Sequence, residues 1–172
     1  MIEIRILEAS GYEGHVDWLA DLLMDAVESG AGVSFLWPLD RRDAMDYWRA
    51  VQPSIAEGRT IQLAAECGGE MAGTVLLQKS WPPNQPHRGE VAKLLVHRKF
   101  RRLGIGTMLM DALVAKAREM GLTLLNFDAV AHGPAEQFYR GLGFTCAGYI
   151  PGYALSSATH QLEDTAIFYM QL

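Results

Sequence analysis

The sequence predicts an α/β fold in which residues 1–172 form a single domain. The chain has 172 residues, of which 49% are hydrophobic and 20% charged, which is the size and balance of one compact globular unit. Apolar positions alternate with polar ones in seven short segments and recur three and four residues apart in four longer segments. These segments follow the order βααββ and then βαβαββ, so strands and helices are interleaved along the whole chain.

The first half of the chain is predicted to contain three strands and two helices. Ile2, Ile4 and Ile6 alternate with charged residues, which predicts the first strand. Each helical pattern ends before a glycine, and Pro53 marks a point where the second helix could break or kink. A Gly-Gly pair then joins two strands in a hairpin. The predicted elements are a strand at 2–6, helices at 13–29 and 41–57, and strands at 60–67 and 70–79.

The second half is predicted to contain four strands and two helices. It begins with a proline-rich loop at 80–89, which neither a strand nor a helix could include. The strongest helical pattern has apolar residues three and four apart and ends at Gly121. Pro134 suits the first turn of a second, shorter helix. The predicted elements are strands at 90–96, 122–130, 144–150 and 164–172, and helices at 104–120 and 133–143.

The composition excludes several classes of partner. The formal net charge is −5, so the broad basic surface that binds nucleic acid or anionic membranes is not expected. Cys67 and Cys146 have no ligand-like spacing, so we expect free thiols and no metal site. No apolar run approaches the roughly 18 residues that cross a membrane, and the first residues lack the basic start of a signal peptide. We therefore expect a cytoplasmic protein.

The segment Arg-Arg-Leu-Gly-Ile-Gly-Thr at 101–107 has the composition of an anion-binding turn. It joins a predicted strand to a helix start, where the first backbone amides have no intrahelical acceptor and the helix dipole is positive. A dinucleotide-binding fingerprint would need a third glycine where the chain has Leu109, and a P-loop would need a Gly-Lys-Ser/Thr sequence. Both nucleotide sites are disfavoured, and a tight turn without a ligand stays open as the alternative.

The residues around this turn resemble a family signature. Arg101-x-x-Gly104-x-Gly106 resembles the (Arg/Gln)-x-x-Gly-x-(Gly/Ala) motif of the GNAT acyl-CoA N-acyltransferases. The other positions that fit the spacing of that family are Leu94, Val96, Leu109, Ala135, Tyr139, Gly143 and Phe144. The resemblance runs from residue 2 to residue 171. Through the segments GAGVSFLWPLD, GEVAKLLV and IPGY it comes nearest to the tabtoxin-resistance type of acetyltransferase.

Three positions depart from the pattern of the family. Arg98 stands where the family often has proline, Arg102 where glycine is common, and His132 where asparagine is frequent. None of these departures removes an amide donor from the turn. His132 puts in doubt any contact that the asparagine of the family makes.

The resemblance implies both a fold and a co-substrate. It implies a mixed, mostly antiparallel central sheet of about seven strands, splayed at the coenzyme A site and flanked by about four helices. It also implies that acetyl-CoA is bound through its pyrophosphate by the turn and through its pantetheine arm by the preceding strand, with no metal. The cofactor-binding residues implied in this way are Leu95, Val96, Arg101, Arg102, Leu103, Gly104, Ile105, Gly106 and Thr107.

Three residues are predicted to carry the chemistry. Tyr139 matches the general-acid tyrosine of the family, since a phenol can return a proton to a leaving thiolate. Glu90 and Asp128 are carboxylates in otherwise apolar strands, and an amine that is ammonium at pH 7 needs a base. Glu90 is the first choice for that base and Asp128 the second, although both could cap loops or bind the ammonium instead. His132 could relay protons, but a histidine at a helix start is more often a cap.

The acceptor is expected to be a small amine. Its pocket is predicted to use about half of the aromatic residues in the flanking loops and helices, with Tyr153 the best candidate because it lies in a loop after a strand. The predicted substrate-binding residues are Phe35, Trp37, Trp81 and Tyr153. The leading hypothesis is acetyl transfer to the primary amine of an amino-acid-like or toxin- or antibiotic-like molecule, by direct attack in a ternary complex. The alternatives are a peptide or protein N-acetyltransferase of the same fold and a non-catalytic coenzyme A-binding module. A homodimer is possible by resemblance.

Overall fold

Seven strands and four helices form in the order that the sequence predicts. The computed structural model describes residues 1–172, and a short 3-10 turn at Arg98–Phe100 adds to the expected elements. The strands are β1 (Ile2–Ile6), β2 (Thr60–Cys67), β3 (Glu70–Lys79), β4 (Arg88–Val96), β5 (Leu124–Val130), β6 (Thr145–Leu155) and β7 (Leu162–Gln171). The helices are α1 (Glu13–Glu28), α2 (Arg41–Ala56), α3 (Ile105–Glu119) and α4 (Pro134–Gly141).

The strands form one mixed sheet in the order β1-β2-β3-β4-β5-β7-β6. Every neighbouring pair is antiparallel except β4 and β5, which are parallel. A parallel pair needs a crossover connection, and α3 supplies it between β4 and β5. The expectation of a mostly antiparallel sheet of about seven strands with four helices is confirmed.

The parallel pair separates soon after it forms. β4 pairs with β5 only over three residues, from Arg88 opposite Leu124 to Glu90 opposite Asn126. Beyond that point β4 bulges, because Lys93 and Leu94 both lie opposite the single position between Thr74 and Leu76 of β3. Beyond Glu90 and Asn126, β4 and β5 no longer pair with each other, although each still pairs with its other neighbour. A wedge therefore opens between them in the middle of the sheet.

Each face of the sheet carries its own hydrophobic core. On one face α3 packs on β2 and β3, and Leu109, Leu113 and Phe168 are fully buried there. On the other face α1 and α2 pack together over β2 and β4, around Leu19 and Trp48. Burying a large apolar side chain of this kind contributes about 1.5–3 kcal/mol, so both faces hold the central strands in place. The wedge between β4 and β5 is open to both faces.

The structure corrects two expectations about element ends. β6 runs to Leu155, five residues past its predicted end, with an irregular register between Ile150 and Ala154. Tyr153 therefore lies within a strand, and its predicted position in a loop is wrong. Pro53 does not break α2, which continues to Ala56. Pro53 lies in the last turn, and its carbonyl oxygen still accepts a hydrogen bond from the Glu57 N–H at 3.0 Å. None of the helices is long and apolar enough to cross a membrane.

Candidate active site

The turn before α3 presents a run of free backbone amides. The chain leaves β4, passes through the 3-10 turn and enters α3 with Arg102 and Gly104 both in the left-handed region, at φ 66° and 79°. None of the six amides from Arg102 to Thr107 donates to a protein acceptor, and the first bonded amide is that of Met108, 3.0 Å from Gly104 O. Six adjacent donors at the positive end of a 15-residue helix form an anion-binding cradle.

The two glycines of the turn have different roles. Gly104 takes a left-handed conformation that costs other residues about 1–2 kcal/mol, with open space where a side chain would stand. Gly106 has ordinary helical geometry, but a Cβ there would lie 3.3 Å from Phe138 Cζ. Glycine at 106 therefore lets α4 approach the start of α3, and glycine at 104 lets the backbone turn its amides outward.

A cavity of about 570 Å³ lies over this turn. It is lined by Leu94, Leu95 and Val96 of β4, by the turn itself, and by Phe138 and Tyr139 of α4. Of the nine predicted cofactor-binding residues, the structure places eight in its wall, and only Leu103 points elsewhere, 53% exposed. The cavity thus brings together the backbone of β4 and the amides of the turn, which are the two features that a long phosphate-bearing ligand needs.

The arginine side chains serve the turn in different ways. Arg101 donates to Val96 O and to Ser29 Oγ, each at 3.1 Å, and lies 3.4 Å from the buried carboxylate of Asp25. Arg98 pairs with the same carboxylate. Arg101 therefore ties the C-terminal end of α1 to the turn, whereas Arg102 is exposed and forms no ion pair.

A second cavity of about 410 Å³ lies in the wedge between β4 and β5. It holds the three predicted catalytic residues together: Glu90 on β4, Asp128 on β5 and Tyr139 on α4. Glu90 is the last β4 residue paired with β5, and Asp128 lies two residues past the corresponding point on β5. The Thr165 hydroxyl lies 2.9 Å from Ala129 O and 3.3 Å from Asp128 Oδ2, so its single proton can be donated to either of these acceptors.

Tyr139 stands where the two cavities meet, since it lines both. Its ring packs against Phe127 at 4.4 Å and Phe138 at 5.2 Å between centroids, so its position is set by an aromatic cluster. Burial raises the pKa of Tyr139 well above its ordinary value, and the negative charge of Asp128 raises that pKa further. The phenol therefore keeps its proton at neutral pH and can act as a donor toward either cavity.

His132 precedes the N-cap residue of α4 and is bound by a side chain of that helix. It adopts φ 61°, and its N–H donates to Glu136 Oε2 at 2.7 Å, while its ring stacks on Tyr149 at 4.8 Å. This bond, with those from Tyr149 and Arg140, lowers the pKa of Glu136 to about 2. His132 itself lines neither cavity, although the next residue, Gly133, lines the wedge cavity.

The predicted aromatic residues divide between the site and the rest of the surface. Phe35 and Tyr153 line a side cavity of about 260 Å³ that shares Asp128 and the loop at 32–34 with the wedge cavity. Trp37 lies in a separate cleft beside α1, and Trp81 is 85% exposed in the loop before β4. Neither Trp37 nor Trp81 lines the wedge cavity, the side cavity or the cavity over the turn.

One residue of the site was missed by the sequence reasoning. Lys93 lines the wedge cavity from the bulge of β4, beside Tyr47 of α2. The signal was present, since Lys93 is a charged residue in the otherwise apolar segment EVAKLLV, as Glu90 is. Strand alternation could not show its direction, because the bulge shifts which side chains face the cavity.

Comparison with known proteins identifies this arrangement. The model of the acetyltransferase (GNAT) family matches residues 20–144. Among solved structures, the ribosomal-protein-alanine N-acetyltransferase of Brucella melitensis is 22% identical with a TM-score of 0.80, over 99% of each chain. The yncA protein of Salmonella typhimurium, solved with its cofactor acetyl-CoA, is 18% identical with a TM-score of 0.75, over 100% of this chain and 94% of that one.

A third structure, provisionally named a phosphinothricin N-acetyltransferase, is 18% identical with a TM-score of 0.81, over 100% of this chain and 99% of that one. At these identities the likeness to solved structures shows the shared fold. The family model covers most of the chain, including the amide cradle and Tyr139. This chain therefore belongs to the GNAT family of acetyltransferases.

Proposed function

We propose that the protein is an N-acetyltransferase that acetylates the primary amine of a small molecule by direct attack in a ternary complex with acetyl-CoA. The observation that carries this proposal is the meeting of two cavities at Tyr139, one over six free amides and the other holding Glu90 and Asp128. Donor and acceptor could thus enter from different sides and meet in the wedge between β4 and β5. Neither Cys67 nor Cys146 lines these cavities, which supports direct attack over an acyl-cysteine step.

The larger cavity suits acetyl-CoA. The amides from Arg102 to Thr107 would hold the pyrophosphate, and the unpaired edge of β4 would bind the amides of the pantetheine arm as an added strand does. Acetyl-CoA supplies the acetyl group as a thioester. Backbone N–H groups at Leu95 or Val96 would stabilise negative charge on the thioester oxygen, because they line the same cavity near the wedge.

The carboxylates of the wedge prepare the acceptor. A primary amine is mostly ammonium at pH 7, so one proton must leave the nitrogen before it can attack. Glu90 remains the first choice to accept that proton, directly or through water, and Asp128 would then bind the ammonium and orient it. Tyr139 Oη, which keeps its proton because of burial, would give it to the departing sulfur.

The loop at 30–36, which covers the wedge cavity, supports a small acceptor. The loop at 30–36 crosses the end of β5 so closely that a side chain at Gly32 would clash with Val130. Its far end is tied down where the Trp37 N–H donates to Ser157 O at 3.1 Å, and the Ser157 hydroxyl donates to Val27 O at 3.1 Å. A peptide would need an open groove here. The resemblance of this loop to the tabtoxin-resistance type favours an amino-acid-like or toxin-like amine.

Titration calorimetry with acetyl-CoA tests the donor site. We expect binding by the wild type and its loss in Gly104→Glu, which places a carboxylate beside the amide cradle. Gly121→Glu is the matched control, since Gly121 follows the other end of α3 at φ 74° and also has open space around its Cβ position. No binding by the wild type, or equal affinity in both variants, would contradict the proposal.

A screen of small amines and peptides, assayed by release of free coenzyme A thiol, tests the acceptor. Turnover confined to small amines is the expected result. Turnover of peptides alone would assign a peptide or protein N-acetyltransferase. Binding of acetyl-CoA without turnover of any amine, unaffected by Tyr139→Phe, would assign a non-catalytic coenzyme A-binding module.

A further inference from the structure

Lys93 has an unusual backbone position for a lysine. It lies in the bulge of β4 at φ 51°, a left-handed conformation that is rare for residues other than glycine. The bulge gives β4 two residues, Lys93 and Leu94, where β3 has one. Bulges of this kind re-aim side chains, and strained backbone is found where the surrounding structure requires it. Here the result is that the lysine side chain enters the wedge cavity.

The ammonium group of Lys93 has aromatic neighbours and no hydrogen-bond acceptor. Nζ lies 5.3 Å from the ring centroid of Tyr47 and 5.8 Å from that of Phe35, within cation–π range. Burial lowers the pKa of Lys93, and the charges of Asp128 and Glu90 partly offset that effect. Neither carboxylate is within the 4.0 Å that defines an ion pair, since Lys93 belongs to none of the ion pairs of the protein.

Lys93 is half-buried and forms no hydrogen bond or ion pair, so its ammonium group is free to bind a group that enters the wedge cavity. Asp128 and Glu90 are near enough to influence Lys93 without pairing with it, since Asp128 lies across the wedge on β5 and Glu90 lies earlier on β4 itself. The wedge cavity therefore carries separated positive and negative groups along its walls, rather than a closed ion pair. This is the charge pattern complementary to a zwitterion.

We propose that Lys93 binds a carboxylate of the acceptor, so that the acceptors are amino-acid-like compounds with both a primary amine and a carboxylate. This inference rests on the acetyltransferase function proposed above. The amine of such a compound would lie toward Asp128 and Glu90, and its carboxylate toward Lys93 between the rings of Phe35 and Tyr47.

The charge count favours a carboxylate over a doubly charged phosphate or phosphonate. The wedge holds one cation, Lys93, and two carboxylates, Glu90 and Asp128. A group with a single negative charge balances the lysine, whereas a dianion would add an excess charge close to both carboxylates. An amine without any acid group would leave Lys93 unpaired and facing a second cation.

The test compares each common L-amino acid other than proline, which lacks a primary amine, with its α-carboxamide, which keeps the amine and the side chain but removes the negative charge of the α-carboxylate. Turnover is measured as coenzyme A thiol release at saturating acetyl-CoA. For the amino acids that are acetylated, we expect kcat/KM to exceed that of the matched carboxamide by at least about tenfold, since a charge-assisted bond replaces a neutral one. In Lys93→Met this ratio should fall to about one, and Lys93→Arg should keep part of it.

Methionine has nearly the length of lysine and is no more strained at φ 51°, so Lys93→Met should fold, and its acetyl-CoA affinity provides the check. Lys79→Met is the control, because Lys79 is exposed at the end of β3 and outside the cavities. A ratio near one in the wild type, an unchanged ratio in Lys93→Met, or turnover confined to amines without an acid group would overturn the role of Lys93. These outcomes leave acetyl-CoA binding intact; loss of that binding in the wild type would instead overturn the proposed function.

Discussion

Removing the hydroxyl of Tyr139 separates catalysis from stability. The ring of Tyr139 contacts a cluster of aromatic residues, with centroids 4.4 Å from Phe127, 5.2 Å from Phe138 and 5.8 Å from Phe168. Tyr139→Phe keeps all of these contacts. The hydroxyl itself has no hydrogen-bond partner within the protein, although burial raises its pKa. The substitution therefore removes a chemical group without removing a structural one.

The expected effect on folding is small. No hydrogen bond is lost and the ring volume is kept, so the free energy of unfolding should change by less than about 0.5 kcal/mol. Tyr139→Ala provides the contrast, because it removes a half-buried aromatic ring that packs on the core and should cost about 2–4 kcal/mol. Chemical denaturation of the two variants and of the wild type measures both values.

The expected effect on turnover is large. A positioned general acid contributes about 10²–10⁴-fold to a proton-transfer step, so kcat of Tyr139→Phe should fall by at least about 10²-fold. Because the pKa of Tyr139 is raised, the phenol stays protonated from about pH 6 to about pH 9, and the ratio of wild-type to variant kcat should be constant over that range. The dissociation constant for acetyl-CoA should not change.

Steady-state thiol release and acetyl-CoA titration measure these quantities on an acetylated acceptor. Tyr149→Phe is the matched control, since the Tyr149 hydroxyl donates to Glu136 at 2.7 Å on the outer side of α4. That variant should have a lower midpoint of thermal unfolding and unchanged kcat. Wild-type kcat in Tyr139→Phe, or a loss of kcat matched by an equal loss of folding stability, would refute the assignment of Tyr139 as the proton donor.

Three further predictions concern two glycines near the amide cradle and the choice of base. Gly73→Ala should lower the free energy of unfolding by about 1–3 kcal/mol and weaken acetyl-CoA binding, because the added Cβ would lie 2.7 Å from Leu95 O. A variant with the stability and the acetyl-CoA affinity of the wild type would contradict this packing. Gly104→Ala should lower the free energy of unfolding, measured by chemical denaturation, by about 1–2 kcal/mol. The cause would be the left-handed φ alone, because the added Cβ would meet no other atom. Glu90→Gln should lower kcat by about 10²-fold and by more than Asp128→Asn does, and the reverse order would make Asp128 the base.

Much of the fold follows from local patterns in the sequence. The strand and helix order is encoded in apolar spacing, and the helices end at glycines such as Gly30 and Gly121, which take positive φ in the structure. The amide cradle was also predictable, because a glycine turn between a strand and a helix start is a local feature of about seven residues. The same is true of Glu90 and Asp128, since charged residues stand out in apolar strands.

The errors occur where distant segments decide the outcome. Tyr153 was expected in a loop after the strand predicted at 144–150, yet pairing with β7 carries β6 on to Leu155 through an irregular register. Trp37 and Trp81 are aromatic residues near predicted loops, and only the path of the folded chain shows that they lie outside the wedge. No local pattern reports the direction in which a loop leaves the sheet.

The sequence by itself determined the element order and the anion-binding turn, because each depends on neighbours within one turn or one strand. Apolar strand context predicted Glu90 and Asp128 as candidates for proton transfer, and the family resemblance added Tyr139. The tertiary structure decided how these residues meet. The short β4–β5 pairing opens the wedge, the bulge directs Lys93 into it, and the aromatic cluster fixes Tyr139 between the two cavities. Strand register and helix packing bring together residues as distant in sequence as Glu90 and Tyr139, and that is why the two cavities form only in the folded chain.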